Sequence, residues 1–184
     1  PGRSPASPRV HLLAFCGVDS GFIAACAAAI IEACQSVPAI TSVMLDCEEW
    51  WVGNRRHRIS RETRRQAASE VRARLFDAWP RARRPPGGIG VTGLASAPPP
   101  ELLAFLDYGL PQIYGSERNM GGLSLAAARS AHQRFNRVWL QACGSERAAG
   151  ECRIIVGHTA NGAFVDPARI RLLVEAALEI GGSG

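Results

Sequence analysis

Gly88-Ile89-Gly90-Val91-Thr92-Gly93-Leu94-Ala95-Ser96, preceded by a further glycine at Gly87, is the stretch on which the fold turns. Ile89 and Val91 form a short apolar run of the kind that fills a buried strand. Thr92-Gly93 predicts a turn, and the small residues Ala95, Ser96 and Ala97 follow before three prolines. Such a strand delivers a hydroxyl and a bare backbone to the edge of a sheet. Glycine at 93 leaves room for a ligand against main-chain N–H groups and permits positive φ, while Thr92 and Ser96 offer hydroxyls. A buried strand ending in a plain glycine turn has the same composition, so the flanking elements must decide between the two.

On the amino-terminal side, Val10 to Phe15 is an apolar run that predicts a strand. The turn Cys16-Gly17-Val18-Asp19-Ser20-Gly21 follows and opens onto an alanine-rich helix ending near Gln35. A helix N-terminus presents unpaired N–H groups, so this joint suits an anion or a carbonyl oxygen; Asp19 or Ser20 as a simple N-cap is the competing reading. Ile40 to Val52 predicts a second strand carrying Asp46, Glu48 and Glu49. From Ser60 the pattern turns helical, with Ala67, Val71, Leu75 and Ala78/Trp79 on one face and arginines on the other.

On the carboxy-terminal side, residues 98–136 form a long excursion with two predicted helices, Glu101 to Asp107 and Leu123 to Phe135. Between them lies a polar stretch, Tyr114 to Gly122, that includes Ser116, Glu117, Arg118 and Asn119; long loops of this kind often bind ligands, or are surface insertions. Arg137 to Cys143 and Cys152 to Gly157 predict two strands of a hairpin. Asp166-Pro167 then starts a helix as N-cap and first residue, its stripe made by Ile170, Leu173, Val174 and Ala177 and its end marked by Gly181. Strands alternating with helices predict an α/β fold, a three-layer α/β/α sandwich with a mixed sheet. One domain over 10–184 is expected, behind a proline- and serine-rich arm at 1–9 read as disordered.

Composition narrows the function. The chain has 184 residues, 47% of them hydrophobic, enough for a sizeable core. No run is long enough to cross a bilayer and the opening residues lack a signal-peptide core, so no membrane association and a cytoplasmic location are expected. Six cysteines (Cys16, Cys26, Cys34, Cys47, Cys143, Cys152) stand without metal-ligand spacing, so neither a metal site nor a disulfide framework is expected. All 21 basic residues are arginines, and eleven of them lie between Arg55 and Arg84. Without interleaved aromatics this run reads as a solvated helix face; nucleic acid is not the expected partner, and an RNA-binding face is the third reading.

Three stretches, in this order, carry a resemblance to a known family: Ile59-Ser60-Arg61-Glu62-Thr63, Val91-Thr92-Gly93-Leu94-Ala95, and Ile170-Arg171-Leu172-Leu173-Val174-Glu175-Ala176-Ala177-Leu178. They resemble the VSEET, VTGIAG and IRxxxVEAAL motifs of the CinA C-terminal domain, the nicotinamide-nucleotide amidases, over roughly Leu12 to Ile180. Arg137-Val138-Trp139-Leu140 stands where that family has GTVYI. The resemblance implies a nucleotide-like ligand, hydrolysis of a carboxamide, no cofactor and a homo-oligomer. It also implies a nucleophilic serine in the loop after the first strand, helped by a tyrosine and a lysine. Here an alignment with one inserted residue puts Cys16 at the nucleophile, whereas an ungapped one puts Gly17 there. Trp51 stands at the tyrosine and Arg56 at the lysine, and a guanidinium cannot take a proton from a nucleophile.

Two functions follow. In the first, a divergent amide hydrolase, Cys16 is the nucleophile, Asp19 or Ser20 orients it, and the Gly17 to Gly21 backbone holds the oxyanion. Arg56, Thr92, Gly93, Ser96, Ser116, Arg118 and Asn119 contact the substrate, and Glu117 or Asp46 replaces the missing base. In the second, the chain binds a nucleotide or serves as an assembly subunit without catalysis.

Overall fold

The structure is a computed structural model that describes residues 10–48, 51, 58–113, 120–145, 153–154 and 166–181. It is an α/β fold. Strands β1 (Val10–Phe15), β2 (Ile40–Asp46), β3 (Ile89–Leu94) and β4 (Tyr108–Gln112) form a four-stranded parallel sheet in the order β1-β2-β3-β4. The helices are α1 (Ser20–Ser36), α2 (Arg61–Arg72), α3 (Pro100–Leu103), α4 (Leu125–Gly144) and α5 (Pro167–Gly181). Parallel strands need a crossover between them, which α1 supplies between β1 and β2. The expected mixed sheet is thereby corrected to a parallel one. The chain divides inside β3 into two compact units, Pro1–Val91 and Thr92–Gly184.

In the first unit β1 pairs with β2 in a register that ends Ala14↔Leu45 and Phe15↔Asp46. The register shifts between Val10 and His11, leaving Thr41 as the extra residue, and its hydroxyl donates to the Val10 carbonyl at 3.2 Å. β2 ends at Asp46 rather than running to Val52. Its Val43 and Leu45 are buried, as are Ile23, Ala27 and Ile30 of α1 and Ala67, Ala68 and Val71 of α2. α2 starts where its sequence predicts, with Ser60 Oγ accepting from the Thr63 N–H at 3.0 Å. At its end the helix widens into a π turn over Ala73–Asp77, closed by the Ala78 N–H on the Ala73 carbonyl, which buries Leu75. As the edge strand, β1 leaves Leu13 and Phe15 exposed.

The turn into β3 depends on glycine. Gly87 donates its N–H to the Thr41 carbonyl at 2.7 Å, and a Cβ at 87 would stand 2.6 Å from that oxygen. Gly88 takes the left-handed conformation at φ 82°, a cost only glycine avoids. The positive φ that the sequence allowed at Gly93 is therefore found at Gly88, because Gly93 continues the strand instead of leaving it.

In the second unit the largest element is α4, which corrects the expected strand over Arg137 to Cys143. Ala128, Ala131, His132, Phe135, Trp139 and Cys143 are its buried residues, a single stripe at helical spacing that runs straight through that stretch. Trp139 donates its indole N–H to the Ala95 carbonyl at 3.0 Å, and His132 Nε2 lies 3.0 Å from the Leu173 carbonyl. Ser124 caps the helix by accepting from the Ala127 N–H. α5 starts as expected at Asp166, whose carboxylate accepts from the Ala168 N–H at 3.0 Å, and its Leu173 and Ala176 join Ala128, Ala131 and Phe135 in one apolar cluster.

Two further expectations change in this unit. The helix predicted over Glu101 to Asp107 is the shorter α3, and the stretch after it yields β4, a strand with a proline at Pro111, where sheet edges tolerate one. Of the strand expected over Cys152 to Gly157, Ile154 bridges Gly109 in parallel and Arg153 accepts the Gly109 N–H at 2.9 Å; residues 152 and 155–157 lie outside the described ones, as do the arm at 1–9 and residues 146–150. Cys143 is disulfide-bonded, whereas Cys16, Cys26, Cys34 and Cys47 are free. Cysteine spacing carries no sign of that bond, since it depends on which thiols the fold brings together.

Gly109 is packed on three sides: a Cβ there would stand 2.8 Å from Leu103 Cδ2 and 2.9 Å from both Ile154 Cδ1 and Trp139 Cε3. Overpacking of this kind costs about 1–3 kcal/mol. Gly109→Ala is expected to lower stability by that amount in urea unfolding. Gly122→Ala, whose Cβ would meet only Ala127 Cβ at 3.8 Å, is expected to stay within about 0.5 kcal/mol of the parent.

Candidate functional site

The β1–α1 joint holds Cys16, Asp19 and Ser20. Cys16 is the first residue past β1, is 5% exposed, and donates its N–H to the Asp46 carbonyl at 2.8 Å, which closes the last pair of the β1–β2 ladder, Phe15↔Asp46. The next position in that register sets Cys16 against Cys47, the first residue past β2, which is fully buried. The Cys16 thiol donates to the Gly17 carbonyl at 3.9 Å and acts on the thiols of both Cys47 and Cys26. Burial pushes the Cys47 thiol well up, with the Cys16 thiol and the Asp46 charge adding to it. Cys26 is also raised, by burial first and by Cys16 second.

Asp19 and Ser20, the expected partners of Cys16, are engaged elsewhere. Asp19 Oδ1 accepts from the Phe22 N–H at 2.8 Å, and its carbonyl accepts from the Ile23 N–H, so Asp19 is the N-cap of α1. Ser20 Oγ donates to Glu70 Oε1 at 2.9 Å and so ties α1 to α2. Arg74 donates to the same Glu70 oxygen from Nε at 3.0 Å and from Nη2 at 2.8 Å. These bonds, the Ser20 hydroxyl first and Arg74 second, hold the Glu70 carboxyl below its usual range. Asp46, considered as a substitute base, is buried at the end of β2, where its charge acts on the Cys47 thiol.

A small apolar pocket borders the joint, lined by Phe15, Cys16, Gly17, Phe22, Ile23 and Cys26 among others. Its cavity volume is ≈ 10 Å³, room for one water-sized group. The Phe22 ring closes it over Gly17, standing 3.2 Å from where a Cβ at that residue would be. Gly21 is exposed in the first turn of α1. In the second unit Thr92 and Gly93 are buried within β3, while Ser96 is exposed on the turn after it, closed by the Ala97 N–H on the Leu94 carbonyl at 2.9 Å. Arg56, Ser116, Glu117, Arg118 and Asn119 lie outside the described residues. Among the described residues no group of three His, Cys, Asp or Glu side chains is placed to hold a metal ion, and no helix is long and apolar enough to cross a membrane.

Sequence reading found Cys16 but missed Cys47, Cys26 and Glu70. A signal for Cys47 was present: Cys16 and Cys47 each stand one residue beyond a predicted or observed strand end, so parallel pairing in step brings them side by side. Glu70 carries no such signal, because it reads as one more charge on an arginine-rich helix face.

The Ser20–Glu70–Arg74 cluster predicts a pH dependence. A carboxyl whose folded pKa is depressed stabilises the fold above its unfolded pKa of about 4.3, and that contribution disappears as pH falls through the folded value. Glu70→Gln is therefore expected to lower stability at pH 7 by under about 1 kcal/mol, since the cluster is partly exposed. In chemical unfolding followed across pH, the gap between parent and variant should close below pH ~4; a gap that widens in acid would contradict the assignment.

No protein-family model, curated protein or solved structure matches this chain.

Proposed function

We propose that this chain is a CinA-like α/β protein that binds a nucleotide-like small molecule or serves as a subunit of an assembly without hydrolysing an amide. The observation that carries this reading is the engagement of Asp19 and Ser20. One caps α1 and the other holds Glu70, so neither is available to orient a nucleophile or move its proton. The groups set against Cys16 are the thiols of Cys47 and Cys26, both raised, and a protonated thiol is a poor base. Arg56 at the position of the family's lysine cannot serve as one. The lining of the joint is apolar, and its cavity admits only a water-sized group.

A second reading is favoured by the position of Cys16 itself, at the end of a parallel strand and the entry to a helix, where α/β enzymes place ligands and nucleophiles. In that reading Cys16 attacks a carboxamide and ammonia leaves, and the pocket opens by movement of the Phe22 ring.

Incubation with nicotinamide mononucleotide separates the two. The first reading expects a saturable rise in melting temperature and no ammonia over hours. Ammonia release that Cys16→Ala abolishes, with fold and ligand-induced shift intact, would overturn it in favour of the second. Neither shift nor product across a panel of pyridine and purine nucleotides would remove both the nucleotide-binding and the hydrolase readings and leave the assembly subunit.

A further inference from the structure

We propose that Cys16 and Cys47 form a reversible disulfide across the ends of β1 and β2, made by hydrogen peroxide acting first at Cys16. The inference rests on the β1–β2 register and stands apart from any ligand reading.

Geometry comes first. The ladder ends at Phe15↔Asp46, the pair that the Cys16 N–H closes on the Asp46 carbonyl, and the next position in the same register sets Cys16 against Cys47. Strands in a sheet lie about 4.7–4.9 Å apart, inside the roughly 4.4–6.8 Å between Cα atoms that a disulfide spans. Residues paired across parallel strands put their side chains on the same face, and the Cys16 thiol already acts on that of Cys47. The bond therefore requires χ1 adjustment and little backbone movement.

Access comes second. Cys47 is fully buried, but Cys16 lines the pocket together with Phe15 and Phe22, both of which are exposed to solvent. Cys16 is 5% exposed and Cys47 not at all, so a small oxidant such as hydrogen peroxide meets Cys16 first. Cys16 is then the sulfur attacked first and Cys47 the one that resolves it.

The chemistry balances in two steps. Cys16 Sγ attacks one peroxide oxygen, the O–O bond breaks, and the departing hydroxide leaves as water with the Cys16 proton; sulfur is oxidised to sulfenic acid and the peroxide reduced. Cys47 Sγ then attacks Cys16 Sγ, the S–O bond breaks, and the second hydroxide leaves as water with the Cys47 proton. Two thiols and one peroxide give one disulfide and two waters. The product pins β1 to β2 at the joint and removes the free thiol of Cys16.

The test is peptide mapping of the whole chain after brief exposure to hydrogen peroxide, with free thiols alkylated before digestion and no reductant added. A peptide pair joined through Cys16 and Cys47 is expected, lost on treatment with dithiothreitol and restored by a second exposure. Mapping reads this bond separately from that at Cys143. Cys47→Ala is expected to stop at the first step, so that a 1,3-dione trap labels Cys16 at least tenfold more than in the parent. A Cys16–Cys26 link, Cys16 carried to sulfinic acid in the parent, or four thiols left unmodified would each overturn the proposal. The parent protein alone decides the linkage, so the result does not depend on how the variant folds.

Discussion

The parallel pairing of β1 with β2 is the constraint on which the amino-terminal unit is built. Parallel strands cannot be joined by a tight turn, so the chain must leave β1, cross as a helix and return. The residues between Phe15 and Ser20 must then stop a strand, turn and start α1 within four positions. Asp19 meets that demand by capping the helix, and Gly17 by leaving space for the Phe22 ring. The same pairing places Cys47 beside Cys16. Chemistry and folding compete for the same few residues at this joint, and folding holds two of them.

How much was legible in the sequence follows from how local each signal is. Ser60, Asp166-Pro167 and the 3.6-residue stripe of α2 act within one or two turns of chain, and the structure places all three where they predict. The apolar run at Ile89 likewise gives β3. The failures are where a local pattern is ambiguous. Val138-Trp139-Leu140 favours a strand by composition, but Phe135, Trp139 and Cys143 share one helix face, and burial of that stripe decides the outcome. β4 is hidden by Gly109 and Pro111, which read as a break until the sheet supplies a partner.

The site was less legible than the fold for a related reason. Ser20 and Asp19 are polar residues at a loop, and polarity at a helix start is equally what capping and catalysis require. Their hydrogen-bond partners decide between these roles, and Glu70, the partner of Ser20, lies fifty residues on. Cys16 illustrates the converse. Its reactivity depends on what faces it, and those neighbours come from β2 and α1 rather than from its own loop.

The absence of lysine limits what this joint can do more severely than the loss of one motif residue would. With arginine as the chain's sole long basic side chain, such a side chain can hold an anion but cannot accept a proton near neutral pH. A hydrolase needs a group that takes a proton from its nucleophile or from water and returns it to the leaving nitrogen. At the joint the thiols set against Cys16 are those of Cys47 and Cys26, and burial keeps both protonated. Thiol oxidation also requires each attacking sulfur to lose its proton, but no group has to return a proton to a leaving nitrogen, and the paired strands supply the alignment. Sulfurs held in register at the ends of paired strands are thus better matched to exchanging electrons than to relaying protons.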